Sequence, residues 1–258
     1  MKSRPVSLVL SKFLLTALLA VLPLASTATL QAGEPVSATP GIREFSCIAW
    51  DNLPCPELFY RQGNRYVPIK LSPGQRSQAY PLKDAHALEL FFLKERAADS
   101  GKPASSDNFE LAGLAPLLPE AKRMLFLIEV RKDFNGLPLQ LRGMDDSVET
   151  FPAGSFRFFN QTPNLLRIEF GGATLDVPQG EAKVVVPALT AAGGFLPVII
   201  KDAEGRNILE NRFFAQRTGR ELVVISPPVE GRTEMSLKIF SDVIPASPTP
   251  PKKASSPR

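Results

Sequence analysis

The chain has 258 residues, 44% of them apolar and 22% charged, which is enough for one or two globular domains with a sizeable core. Its net charge of +4 sits largely at the two ends, in Lys2, Arg4 and Lys12 and again in Lys252, Lys253 and Arg258. That distribution excludes the one-faced basic footprint of a nucleic-acid binder. With 25 prolines, 17 glycines and only weak helical periodicity, the composition favours many short strands joined by turns, an all-β chain.

Met1 to Lys12 is basic and free of acids, Phe13 to Ala25 is uncharged and apolar, and small residues follow to Ala28 and Ala32. This three-part order reads as a secretory signal peptide over 1–32, cleaved after Ala28 or Ala32. The competing reading is an uncleaved anchor, but the apolar run is shorter than the roughly 20 residues a spanning helix needs and Pro23 interrupts it. The mature chain is therefore expected to be periplasmic or secreted, with no transmembrane segment. A polar lead-in follows over 33–43. The only two cysteines, Cys47 and Cys55, form a short-spaced pair that reads as a disulfide in an exported protein. A metal site would need further soft or imidazole ligands, and the chain has a single histidine. Trp50 lies in the loop such a bridge would close. With Tyr60 and Tyr66 close in sequence it forms a candidate binding patch for a glycan or peptide, the alternative being that Trp50 caps a core.

Pro56 to Arg61 and Tyr66 to Leu71 read as strands around the turn Gln62-Gly-Asn64, where Gly and Asn tolerate positive φ. Pro68 lacks a ladder donor, so the second belongs at a sheet edge. Ala87 to Leu93 reads as a strand buried on both faces. Residues 96–108 carry no apolar pattern and form a loop. Leu111 to Leu118 fits a helical turn or a strand, Arg123 to Val130 is a strong strand, and Leu137 to Arg142 follows a turn at Asn135-Gly136. The stretch Phe151-Pro-Ala-Gly-Ser-Phe-Arg-Phe-Phe-Asn160 then turns and starts again. Phe151 and Phe159 are expected to pack where two units meet. Strands are predicted over 155–160, 164–170, 175–177, 182–186, 195–200, 207–215, 221–226 and 235–240, with a hairpin turn at Asp202-Ala-Glu-Gly205. Residues 246–258, rich in Pro, Ser and Lys, are expected to stay disordered.

The two halves align at an offset of roughly 100 residues. Leu58-Phe-Tyr60 matches Arg157-Phe-Phe159, and Val67 to Leu71 matches Leu166 to Phe170. Pro73-Gly74-Gln75 matches Pro178-Gln179-Gly180, Leu125 to Ile128 matches Leu222 to Ile225, and Leu139-Gln-Leu141 matches Leu237-Lys-Ile239. Repeats of that size with about seven short strands fit tandem immunoglobulin-like β-sandwich domains, over 44–150 and 151–245.

Catalytic signatures are sparse. His86 stands alone beside a predicted strand, no Gly-x-Ser-x-Gly elbow occurs, and Asp145-Asp146 are adjacent, so on a strand they point to opposite faces and fit a solvated loop. Neither phosphate-binding glycine signature is present. No catalytic, cofactor-binding or metal-binding residue is expected.

The segment Leu58-Phe-Tyr-Arg61, in a two-unit exported chain of this size, resembles the periplasmic pilus-assembly chaperones. That resemblance implies strand addition to a partner's sheet edge. The Phe151 to Asn160 segment, with Pro73-Gly74 and the paired strands over 56–245, is similar to uncharacterised exported tandem β-sandwich proteins of environmental bacteria, which implies a fold and a compartment. The expectation is a non-enzymatic structural or interaction module of the cell envelope, whose partner is another envelope protein or a glycan. The alternative is a periplasmic chaperone or adaptor for surface-structure assembly that acts by β-strand pairing.

Overall fold

A computed structural model describes residues 43–50, 57–83, 85–94, 106–131, 136–188, 193–228 and 235–243. The expected signal peptide, nearly all of the lead-in, Cys55 and the expected disordered tail lie outside the described residues, as does most of the 96–108 loop.

Among the described residues the chain forms sixteen strands and one 3-10 turn, Ser106–Asn108. The first eight strands are β1 (Arg43–Ala49), β2 (Leu58–Gln62), β3 (Arg65–Ile69), β4 (Tyr80–Leu82), β5 (Ala87–Leu93), β6 (Phe109–Pro116), β7 (Arg123–Val130) and β8 (Leu139–Asp145). The second eight are β9 (Phe156–Asn160), β10 (Leu166–Phe170), β11 (Ala173–Val177), β12 (Ala182–Val185), β13 (Gly194–Lys201), β14 (Asn207–Ala215), β15 (Gly219–Ser226) and β16 (Ser236–Val243). They build four four-stranded sheets, in the orders β4-β1-β7-β8, β3-β2-β5-β6, β12-β9-β15-β16 and β11-β10-β13-β14. Adding eight to every strand number of the first two orders reproduces the last two. The one parallel pairing of each half, β1 with β7 and β9 with β15, obeys the same rule.

Side-chain alternation explains how the sheets stack. In β7, Met124, Phe126 and Ile128 face one way and join Phe45, Tyr60, Leu88 and Leu90 in a core between the first two sheets. In β15, Val223 and Ile225 join Phe156, Phe158, Phe170 and Phe213 between the last two. The intervening residues face the other way and meet each other. Ile48, Leu125 and Leu127 pack on Phe159, Leu222, Val224 and Phe240 in a third core between sheets of different halves. Two of the four sheets are therefore covered on both faces, which is why β15 is buried at all eight positions. All described residues fall within one compact unit.

Most predicted strands are present, and Leu111 to Leu118 resolves as strand β6 followed by a short connection. Pro68 stands on β3, an edge strand, as expected. Two strands escaped the sequence reading, β1 and β4. β1 buries five consecutive residues and so shows no alternation. β4 has three residues, one of them Pro81. Missing β1 shifted the start of the internal alignment by one strand. β2 corresponds to β10 and β3 to β11, not to β9 and β10, whereas the three later matches fall on equivalent loops and strands.

Candidate functional site

Polar chemistry concentrates at one end of the third core. Cross-strand register identifies the equivalent positions: Leu125 faces Met144 across β7 and β8, and Leu222 faces Phe240 across β15 and β16. Two residues before each leucine stand Arg123 and Arg220. Two residues after Met144 and Phe240 stand Asp146 and Asp242. The two repeats thus contribute the same Arg–Asp pair, and the pairs interlock. Arg220 is fully buried. Its Nη2 lies 3.0 Å from the Asp146 carboxylate and 2.8 Å from that of Asp242, and its Nη1 donates to the carbonyls of Asp146 and Phe151 at 3.1 and 3.0 Å. Arg76, placed by a bridge to Ile48 of β1, grips Asp146 with both guanidinium nitrogens at 2.6 and 3.1 Å and reaches Asp242 at 3.2 Å. Arg123 approaches Asp146 to 3.4 Å.

The linker between the halves is part of the same assembly. Phe151 is 1% exposed, with the Arg157 and Arg220 guanidiniums 4.3 and 4.8 Å from its ring centre, the geometry of cation–π attraction. Burial pulls the Arg157 guanidinium down to about 10; Asp146 opposes that shift and Arg220 adds to it. The multiple bonds of Arg76 and Arg220 are the geometry that lets a buried ion pair offset its desolvation, whereas the Arg157 Nη1 and Arg123 Nε are buried without a hydrogen-bond partner. An open cleft of about 540 Å³ adjoins the cluster, bordered by Gln75, Arg76, Arg123, Ser241 and Asp242.

The structure disperses the sequence-predicted patch. Tyr60 is buried in the first core, edge-on to Phe45 and Tyr80. Tyr66 stacks on Phe109 at 3.9 Å and meets Phe91 edge-on. Because Val67 and Ile69 face the first core, alternation along β3 puts Tyr66 on the opposite face of its sheet. Trp50 packs near Phe240 at 6.2 Å, with the Lys238 ammonium 4.3 Å from its ring centre, so it belongs to the seam between the halves. The expected Cys47–Cys55 bridge is not shown among the described residues. Cys47 carries a free thiol on β1 within the first core, where burial pushes its pKa up; its expected partner Cys55 lies outside the described residues. Phe159 does pack between the halves, and Phe151 sits under the arginines.

Asp145-Asp146 did not reveal itself in the sequence as what it is. Asp145 accepts from the Ser147 backbone N–H at 2.9 Å, while Asp146 is 0% exposed at the centre of the arginine cluster. The available signal was Arg157 and Arg220, charges set among residues that otherwise read as buried strand.

A second feature lies at the same end of the second half. Ile239 and Ser241 of β16, Phe213 and Phe214 of β14, and Phe156 and Glu221 border a cleft of about 310 Å³. Glu221 accepts a hydrogen bond from the Ser241 hydroxyl at 2.6 Å, and burial pushes its carboxyl pKa up. Comparison with protein-family models and with curated proteins finds no match for this chain.

Proposed function

We propose that this chain is an exported, non-enzymatic interaction module of the cell envelope, a tandem of sandwiches immunoglobulin-like in size and layering. The strand order departs from the ABED/CFG arrangement, because β2 and β3 form a hairpin within one sheet. The observation that carries the reading is how the buried charge is used. Arg76, Arg220, Asp146 and Asp242 bond to one another across the two halves, which makes a rigid body and leaves its outer strand edges to present. A partner is expected to engage an edge or an end of a sandwich, where main-chain pairing is available. The chaperone or adaptor reading draws on the edges of β14 and β16, each paired on one side only among the described residues.

The test is expression of the full chain in a bacterial host, followed by fractionation and amine-reactive crosslinking. The expected outcome is an envelope-located chain, shortened past Ala28 or Ala32, that crosslinks to one envelope protein. An uncut cytoplasmic chain, or substrate turnover by the purified protein, would overturn the reading.

A further inference from the structure

The connection between the third and fourth strands differs in the two repeats, and the longer version walls a cleft. In the second half β11 and β12 are joined by residues 178–181 alone. In the first half β3 and β4 are joined by residues 70–79, which include Arg76. Ile48 and Phe159 are equivalent, and they bridge to Arg76 and Ala182 respectively. An arginine therefore stands where the other repeat has an alanine. The same loop brings Gln75, Ser77 and Gln78 to the wall of the cleft of about 540 Å³, which Arg123 and the end of β16 also line.

The added arginine tilts the charge of the cluster. Asp146 takes two bonds from Arg76 and one from Arg220, and Asp242 takes two from Arg220. Those two carboxylates are thereby matched, and Arg123 and Arg157 are left over. Each keeps a buried nitrogen without a hydrogen-bond partner, Nε in Arg123 and Nη1 in Arg157. Arg157 is buried among the other charges, whereas the Arg123 side chain is 37% exposed and lines the cleft. The remaining carboxylates nearby do not restore the balance. Asp145 is turned to the Ser147 backbone N–H. Glu221 holds the Ser241 hydroxyl and borders the other cleft. Glu44, opposite Arg123 on β1, is exposed beside the exposed Lys122.

We propose that this cleft binds a phosphorylated sugar, with its phosphate on the Arg123 guanidinium and its hydroxyls against Gln75 and Gln78. A phosphomonoester carries about −1.5 to −2 charges at neutral pH and accepts the forked donors of an arginine. It therefore matches two uncompensated guanidiniums, where a carboxylate would match one. The volume of about 540 Å³ falls in the range of small-molecule sites, roughly 300–1,000 Å³, and exceeds what a bare phosphate fills. Beyond Arg123 the wall offers the exposed amides of Gln75 and Gln78 and the half-exposed Ile239. Polar groups with a small apolar surface suit the hydroxyls and the C–H face of a sugar ring.

The inference rests on the reading of the chain as an envelope interaction module with a glycan among its partners, and its test is separable from that reading. The probe is glucose carrying a phosphate on its primary hydroxyl, titrated calorimetrically into the full chain. Saturable binding is expected, at least about tenfold tighter than that of glucuronate or of inorganic phosphate, and weaker as salt is added. Arg123→Gln and Gln78→Glu should each weaken it by about tenfold or more. Gln78→Glu changes an exposed side chain and touches none of the cluster's bonds, so it keeps the test open if Arg123→Gln unfolds; circular dichroism is the check on folding. Deacylated lipopolysaccharide that displaces the probe only when its phosphates are intact would support the site and assign it to an envelope glycan. Probe binding without such displacement would support it and assign it to a free sugar phosphate. Absence of probe binding overturns the proposal, as does equal affinity for inorganic phosphate, equal affinity for glucuronate, or indifference to both substitutions. In each of those cases, crosslinks to an envelope protein at another surface would leave the broader reading standing.

Discussion

Asp146 joins the two halves at the level of single side chains. It has no exposure and takes charge-assisted bonds from Arg76 and Arg220. Removing the carboxylate leaves two guanidiniums without their main counter-charge, one of them fully buried, and breaking a buried pair from one side costs about 3–5 kcal/mol. Asp146→Ala is therefore expected to lower the free energy of unfolding by that amount in urea titrations. Glu221 acts in the opposite sense. Burial raises its carboxyl pKa above the ordinary value, so the folded state holds the proton more tightly than the unfolded chain. Its contribution is fully present below the ordinary glutamate range and is lost as pH rises through the raised value. Glu221→Gln is expected to be more stable than the parent near pH 7 and indistinguishable from it at about pH 4, as read from thermal midpoints across that range.

Whether an element was legible in the sequence depended on how many of its faces are buried. β10 and β14 announced themselves: Leu166, Ile168 and Phe170 alternate with Arg167 and Glu169, which pair with Asp176 and Lys201 on the outer face. β1 did not. Phe45 and Cys47 serve one core and Ile48 another, so the strand reads as a mixed apolar run, and its cysteine suggested a bridge. β4 is too short to carry a period. The duplication was visible because β7 and β15, the central strands, are long and apolar on both sides. Its opening register was not visible, because it depended on β1. The arginine–aspartate cluster was illegible for a related reason: its members come from separate strands and a linker, and only the register of β7 with β8 and of β15 with β16 brings them into line.

At the scale of the molecule, the third core ties the halves together thermodynamically. Leu222 is 1% exposed and touches both sides. Leu222→Ala is expected to cost about 2–5 kcal/mol and to move a single unfolding transition, followed by both near-ultraviolet circular dichroism and hydrogen exchange in β5 and β13. A variant that melts the second half while the first stays protected would show the halves to be energetically separate.

The shared interior also bears on ancestry. Register equates Leu125 with Leu222, Leu127 with Val224 and Ile48 with Phe159, so each repeat offers its neighbour the same surface that it receives. That is the self-complementary contact of a two-fold pair, here carried within one polypeptide. A gene encoding a single repeat would have made a symmetric homodimer before fusion. Fusion then freed the two copies to diverge, as Phe159 standing where the first repeat has Ile48 shows.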